Sequence, residues 1–497
     1  MRSEQTRSVG ELHVDIHHPA SSVLDRGCNC RRGLVAQAAP LLTDDLIVAA
    51  RDRAREPELP EGTLARALST PISPRLARYD VIIVSDASGN GTWDARIAAE
   101  FARHQHRVFH LGDHQDADNI PVAPTLRRIA VPQAVTGNIQ RLLETLAELR
   151  QTEAIEAAAL LAPPSVDVAS LREVRHRWSW RSVTVCDELP KPHHDADVRI
   201  RFDAEDCDEY AEREVFLPED MPWPTRWAVI DRAVRGSWAR ASVIILTHDN
   251  LAFSRICLSS VLENTEYPNY ELIVVDNASS DGTVEELQNI ASVVPNIKVI
   301  LNDSNRGFGP GNNQGLAAAT GDIMVLVNND TIVPRGWLTR LGRHLEDPHL
   351  GIVGPATNRT CNEAQIDIPY QTFGEFQAVA RALAVQHDGE RYPIRMPMMF
   401  CAAFRRATYE RLGPLDERFE VGLFEDEDYA LRAKAEGFQV AWTPEVFVHH
   451  AYHASIGKLL PTGDYKRLVK LNQGRFEEKW GICWERHRPM PAPSSTV

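Results

Sequence analysis

The stretch GDIMVLVNNDT, Gly321 to Thr331, decides how this chain is read. Ile323 to Val327 is an unbroken apolar run, the pattern of a strand buried on both faces. It then runs into Asn328, Asn329 and Asp330. An amide left unpaired in a core costs roughly 2–7 kcal/mol, and an ionised carboxylate more. Something must therefore meet these groups where the strand ends.

Working outward, the same rhythm repeats. Strand SVIILT (242–247) precedes a helix near Ser254–Asn264, then strand ELIVVD (271–276). Helix TVEELQNIAS follows, with Thr283 and Glu286 spaced as a capping box. Strand IKVIL (297–301) and helix GPGNNQGLAAAT (309–320) lead back to the opening stretch. Strands alternating with helices predict an α/β fold with a mostly parallel sheet covered on both faces. In such sheets ligands lie outside the carboxyl ends of the strands. Three of those ends are polar here: Thr247-His248-Asp249-Asn250, Asp276 to Gly282, and Asn328-Asn329-Asp330. Each alone reads equally well as a turn or helix cap. Three on one edge of one sheet read as a site.

The 497 residues exceed one hydrophobic core and predict two or three domains. Hydrophobic and charged contents of 43% and 25% are those of a globular protein. A net charge of −15 argues against non-specific nucleic-acid binding. MRSEQTRSVGELHVDIHHPA lacks the apolar core of a signal peptide, and no run approaches the ~18 apolar residues of a membrane span. The expectation is a cytoplasmic protein, with peripheral contact at the inner face of the cytoplasmic membrane as an option. The eight cysteines are scattered; only Cys28 and Cys30 are close-spaced, with no second pair at zinc-ligand spacing nearby.

Residues 1–77 read as an irregular lead-in with a short helix or two. DVIIVSDASGNGTWDARIAAEFARHQHRVFHLGD, from Asp80, is a βαβ unit opening a small Rossmann-like α/β domain, 78–190. Its turn, Ser85 to Gly91, lacks the G-x-G-x-x-G spacing of a dinucleotide loop. Residues 191–238 read as a polar linker, 239–485 as the second α/β domain and 486–497 as a tail. No repeat of solenoid period is present. In the second domain FEDEDYALRAKAEGF sets Glu425, Asp426, Glu427 and Asp428 at a helix start. The helix dipole favours acids there by ~0.3–1 kcal/mol each, which accounts for two or three of the four. The apolar approach FEVGLF would bury the first of them.

The segment from about 241 to 457 resembles the family 2 glycosyltransferases, which have the nucleotide-sugar-binding GT-A fold. The resemblance rests on SVIILTHDN, ELIVVDNASSDGT, NRGFGPGNNQGLAAATGDIMVLVNNDT and GPLDERFEVGLFEDEDYALRAKAEGF, in that order. It is most similar to bacterial rhamnosyl- and galactofuranosyl-transferases of cell-surface polysaccharide synthesis. The resemblance does not extend to residues 1–238, where the βαβ start and RSVTVCDEL faintly resemble the amino-terminal half of a two-domain (GT-B) glycosyltransferase.

The resemblance implies roles residue by residue. Thr247 and Asn250 would lie at the nucleotide, and Asp276 would accept a hydrogen bond from a pyrimidine. Asn305, Gly307 and Asn313 would lie in the segment closing over the donor. Asn328 and Asn329 would line the diphosphate, and Asp330 would hold Mg²⁺ or Mn²⁺ bridging its two phosphates. The fold's Asp-x-Asp is here Asn328-Asn329-Asp330. A single carboxylate can suffice because such ions keep waters and use substrate phosphates, so weak metal binding is expected without donor. Asp426 falls at the general base, with Glu425 beside it and Asp428 near Arg432. A second metal ligand is His450, with His449 as alternate; neighbours on a strand point to opposite faces, so only one reaches the metal.

Arg306, Arg405, Arg406 and Arg432 are candidate phosphate partners, though surface arginine is the commoner reading of each. Trp337 reads as core. MPMMFCAAFRR lacks the glycine usual near Met399 or Phe400, and NQGRFEEKWG resembles the family's closing helix. The implied reaction is inverting transfer from a nucleoside-diphosphate sugar, a UDP- or dTDP-sugar first, to a hydroxyl of a glycan, lipid-linked or protein acceptor. Two competing readings are a sugar-1-phosphate nucleotidyltransferase, disfavoured because THDNLAF has no glycine, and a catalytically silent carbohydrate-binding scaffold.

Overall fold

Helix α1 (Glu61–Ser69) is followed by β1 (Asp80–Val84), α2 (Thr92–Arg103), β2 (Val108–Gly112), β3 (Leu126–Ala130), α3 (Ile139–Glu153), β4 (Ala158–Ala162), β5 (Arg181–Cys186), β6 (Val198–Arg201), β7 (Glu214–Phe216) and α4 (Trp223–Gly236). The computed structural model describes residues 221–451 and 464–487 without a break and shorter pieces between 41 and 217. The strands pair in parallel throughout, in the order β3-β2-β1-β4-β5-β6-β7. That order reverses between β1 and β4, as in a doubly wound sheet. The turn Ser85–Gly91 lies outside the described residues, as do Cys28 and Cys30.

Residues 191–238 are not a linker. They supply β6, β7 and α4, so the first sheet runs past residue 190. With four and three residues, both strands are too short to show a period, and they sit in acidic sequence. The lead-in is also bound into the molecule. Leu41, Leu42, Leu46, Val48 and Ala67 pack with Phe373, Phe376 and Phe447, and the Phe373 N–H donates to the Leu46 carbonyl at 2.7 Å.

The second domain continues β8 (Ala241–Thr247), α5 (Leu251–Asn264), β9 (Tyr270–Asp276), α6 (Thr283–Val293), β10 (Ile297–Leu301), α7 (Phe308–Ala318), β11 (Ile323–Asn328), β12 (Thr331–Ile332), α8 (Trp337–His344), β13 (Leu350–Thr357), α9 (Phe373–Gln386), β14 (Tyr392–Pro393), β15 (Cys401–Arg405), α10 (Arg406–Leu412), α11 (Glu425–Ala435), β16 (Gln439–His450) and α12 (Asp464–Trp480). Its sheet is mixed. It is parallel through β10-β9-β8-β11 and across β13-β16, and antiparallel around β15 and at the short β12 and β14. Register aligns Thr247 with Asp276 and Leu246 with Asn328, so the polar ends of β8, β9 and β11 lie on one edge.

Helix α7 lies directly on β8 because two of its residues lack a Cβ. A methyl at Gly311 would come within 2.5 Å of Leu246, and one at Gly315 would run into Ile244. The predicted capping box at Thr283–Glu286 does not form: the N-cap of α6 is Gly282, at φ +95°, and Thr283 is inside the helix. Its hydroxyl donates to Asp281 at 2.6 Å, while Glu286 pairs with Arg255 at 2.7 Å. A capping box does form on α9, between Thr372 and Glu375.

One apolar cluster runs through both sheets, from Val81, Phe101 and Leu217 through Trp238 to Val243, Leu272, Val325 and Trp337. Beside it lies a buried ionic seam. Arg340 pairs with Glu156 at 2.5 Å and approaches Glu445 at 3.6 Å. Glu445 also meets Arg343, and His344 at 3.0 Å.

Candidate active site

The opening puzzle resolves residue by residue. Asn329 is buried, but its amide turns into α5 and donates to the Ser254 hydroxyl at 2.9 Å. It is bonded within the protein, not aimed at a diphosphate. The Asn328 N–H donates to the Phe400 carbonyl at 2.7 Å, and its own carbonyl accepts from the Thr331 hydroxyl at 2.8 Å. Asp330 is 7% exposed and faces His450, Oδ1 to Nε2 at 3.4 Å.

Both partners of that pair are held by the backbone around them. Thr331 pairs with His450 across the β12–β16 ladder. Asn358 accepts from the His450 N–H at 2.8 Å and donates to its carbonyl at 3.2 Å. The Phe400 ring stacks on the His450 imidazole at 4.6 Å and 14°. His449 points the other way, with Nδ1 2.7 Å from the Tyr370 hydroxyl. Burial, then the adjacent His450, pushes His449 down to about 3, so it is neutral.

Thr247 and Asp276 are fully buried. The Asp276 carboxylate accepts from the Thr247 hydroxyl at 2.9 Å, and from the Ser279 hydroxyl and N–H at 2.5 and 2.9 Å. A carboxylate has about four acceptor positions, and these bonds take three of them. Asp276 here ties the ends of β8 and β9 together. Asp249, Asn250 and Ala278 are all left-handed, at φ +52°, +60° and +60°, which bends both loops over that edge. Cross-loop bonds fix the bend: Asp249 N–H to Ser279 at 2.8 Å and Leu251 N–H to Asp281 at 2.7 Å.

The segment before α7 is likewise internally bonded. Exposed Asn305 accepts from the Gly307 N–H at 2.9 Å and from the Asn277 amide at 3.2 Å. Gly307, at φ +85°, lies so close to Val421 that a Cβ would sit 3.2 Å from its nitrogen. Asn313 is a clamp, bonded to both backbone groups of Leu415 and to Glu417 at 2.8–2.9 Å.

Of the four acids, two are structural. Asp428 is fully buried and holds Arg432 at 3.0 Å, Trp480 at 3.0 Å and Lys479 at 2.6 Å. Glu427 holds Arg395 and the Trp484 indole. Asp426 is half-buried and accepts from the Met399 N–H at 3.3 Å. Burial pushes it up to about 6. Glu425 is pushed well above the usual range, by burial and then by the Asp426 charge. Burial and mutual repulsion thus raise the proton affinity of the pair as a whole.

Three candidate arginines are occupied elsewhere. Arg405 donates to the Leu345 and Asp347 carbonyls at 3.0 and 2.6 Å, Arg406 to Gly321 and Ala319 at 2.9 Å, and Arg432 to Asp428. Arg306 is exposed. Trp337 is core, its indole bonded to Thr265 at 3.1 Å. A groove of about 1270 Å³ between β14, the start of β16 and residues 485–487 shares none of the site residues.

Sequence reasoning missed the residues that join the site. Met399 bonds Asp426, while Phe400 stacks on His450 and bonds Asn328. Their signal was the absence of a glycine, which read only as a departure.

The donor set of Asp330 and His450 is one carboxylate and one imidazole, both buried. Among the described residues no group of three or more His, Cys, Asp or Glu is placed to hold a metal ion. Two protein ligands fit a cation that completes its shell from substrate phosphates and water.

The family description "Glycosyl transferase family 2" matches residues 242–413. The chain is 28% identical over 225 residues to an uncharacterized protein, y4gI, of Sinorhizobium fredii, covering 44% of this chain and 25% of that one. It is 26% identical over 262 residues to the O-antigen biosynthesis protein RfbC of Myxococcus xanthus, covering 51% and 20%. It therefore spans a quarter or less of the length of these two relatives. A mannosyltransferase from Pyrobaculum calidifontis, solved with GDP-Man and Mn2+, is 22% identical with a TM-score of 0.36, over 48% of this chain and 64% of that one. Among the described residues no helix is long and apolar enough to cross a membrane. The domain that begins at β8 belongs to glycosyl transferase family 2.

Proposed function

We propose that the chain is an inverting glycosyltransferase that moves a sugar from a nucleoside diphosphate to a hydroxyl of a glycan or lipid-linked acceptor. One observation carries this reading: Met399 and Phe400, adjacent in sequence, touch both halves of the site. The Met399 N–H bonds Asp426 and the Phe400 ring stacks on His450. The acid that would take a proton and the pair that would hold a metal thus share one wall.

In the proposed reaction Asp426 takes the proton of the acceptor hydroxyl as its oxygen bonds to the anomeric carbon. The bond from that carbon to the diphosphate breaks, its electron pair leaves with the nucleoside diphosphate, and the anomeric centre inverts. Glu425 lies beside Asp426, and burial holds both carboxyls above their usual range, which favours proton uptake by the pair. Asp330 and His450 would hold Mg²⁺ or Mn²⁺ at the diphosphate. When bound, the ion supplies charge stabilisation to the leaving group. The loops after β8 and β9, with Thr247, Asn250 and Asp276, form the nucleotide edge. Gly307 lies beside the acceptor-side loop at Val421, and Asn305 is bonded to the Gly307 N–H. The O-antigen relative supports a cell-surface polysaccharide as the product.

A panel of UDP-, GDP- and dTDP-sugars, with Mn²⁺ or Mg²⁺, tests the reading by nucleoside diphosphate release. Asp426→Asn should lose on the order of 10²–10⁴-fold in turnover while binding donor normally. Near-normal turnover by that variant removes Asp426 from the mechanism. Pyrophosphate release instead would mark a nucleotidyltransferase, and sugar binding without turnover a scaffold.

A further inference from the structure

Three of the four residues before Glu425 have a backbone that their side chains disfavour. Val421, Gly422, Leu423 and Phe424 all have positive φ, at +64°, +130°, +78° and +77°. A β-branched valine in the left-handed region is a true outlier. Such strain persists only where surrounding structure imposes it. Phe424 is also the N-cap of α11, and its carbonyl accepts the first helical bond, from the Asp428 N–H at 3.0 Å. The direction in which Glu425 and Asp426 leave this loop therefore follows from its conformation.

One buried side chain on α12 holds that loop. Asn472 is fully buried, and its amide nitrogen lies 2.8 Å from the Gly422 carbonyl and 3.3 Å from those of Glu420 and Leu423. Arg475, one turn on, braces the clamp. It donates to the Asn472 oxygen at 3.2 Å, the Arg418 carbonyl at 2.7 Å and Glu420 at 2.8 Å. Phe476 packs on Phe424 at 5.6 Å. Across the loop, Gly307 abuts Val421.

We propose that Asn472 is a positioning residue: its amide gathers three carbonyls of a strained loop and thereby aims Asp426 at the acceptor side of the cleft. This rests on Asp426 being the base. It assigns a function to a helix over a hundred residues away in sequence from the nucleotide edge. It predicts that the strain and the clamp compensate each other. Removing the amide lets the loop relax, whereas a glycine at 421 takes away the strain of the β-branched residue and so lowers the cost of the same conformation without it.

The test begins on the free protein, by hydrogen–deuterium exchange. Asn472→Ala should speed exchange across residues 420–426 by about tenfold or more and leave 323–332 unchanged. In the donor panel it should lower kcat by roughly 10- to 100-fold, with UDP and GDP affinity in Mn²⁺ held within about twofold. Adding Val421→Gly should restore much of the lost kcat, a rescue that a loss of general stability would not give. Asn472→Ser, keeping one hydroxyl donor, is read the same way should the alanine variant not fold.

The inference is overturned if kcat stays within about twofold while Asp426→Asn loses turnover, since the base is then aimed without the clamp. It is equally overturned if nucleotide affinity falls in step with kcat, or if exchange quickens throughout the domain. Normal turnover by Asp426→Asn would instead sink the reading of the base, and the exchange data would still decide whether Asn472 holds the loop.

Discussion

A carboxylate that must accept a proton near neutral pH needs an affinity for it higher than an exposed aspartate has. Asp426 has it by burial, moderated by the Met399 N–H, and sits at about 6. Glu425 beside it is higher still. A base acts in its ionised form. Turnover should therefore rise with pH through about 6 and level off above 7, once Asp426 has lost its proton. The acid limb of kcat for nucleoside diphosphate release, followed from pH 4.5 to 8.5, checks this. A limb near 4, where an unperturbed aspartate titrates, would mean that the acting carboxylate is not in this environment. At this scale the resemblance brought forward Asp330, Asp426 and His450 as candidates, and the structure sets Asp330 against His450 and Asp426 on the Met399 N–H. The sequence was uninformative about Asn329 and Asp276, whose partners Ser254, Thr247 and Ser279 come from other elements. Amides and hydroxyls serve equally as ligands to substrate and as internal ties. Only the fold says which.

Elements show the same division. The parallel strands β8, β9 and β11 were legible because a strand buried on both faces is one apolar run. Strands β6 and β7 were not, since three or four residues cannot display a period. The capping box was misplaced because Thr-x-x-Glu also fits a helix whose N-cap is a left-handed glycine, as at Gly282. Helix α7 gives the sharpest test of how an element positions the site. Its glycines 311 and 315, one turn apart, face β8 and let the helix rest on Leu246 and Ile244. A methyl at Gly315 must push against Ile244, a branched side chain locked in the core. Gly315→Ala should cost about 1–3 kcal/mol through overpacking, despite the better helix propensity of alanine. A urea midpoint lower than that of the parent protein checks it; a rise would mean that α7 shifts without penalty. Gly474, whose Cβ would meet nothing, is the matched control, where alanine should be neutral or stabilising.

Across the whole molecule, one apolar core joins the two sheets. Tyr79, Val81, Ile83 and Phe101 share a core with Val243, Leu272 and Trp337. A truncated protein of residues 239–497 would bare that apolar face to water. It would also lose Leu41, Leu46 and Ala67 from the cluster around Phe376. The ionic seam would be broken at Glu156, leaving Arg340 with the Arg335 carbonyl and the longer approach to Glu445. Glu445 reports the worth of that seam. Burial alone would raise it, but the hydrogen bond to His344 and the charges of Arg343 and Arg340 bring it down to about 2. A depressed carboxyl adds stability above its unfolded value of about 4.5 and loses it as pH falls toward 2. Full-length protein should therefore lose Tm steeply below pH 4.5, and Glu445→Gln should lower Tm at pH 7 and flatten that acid limb. Breaking one side of a buried pair costs about 3–5 kcal/mol. Added to the exposed core, this should make residues 239–497 aggregate on expression, or unfold well below the full chain by circular dichroism. A truncated protein that is monomeric and melts within a few degrees of its parent would show instead that the family 2 domain stands alone, and that the first sheet is only carried by it.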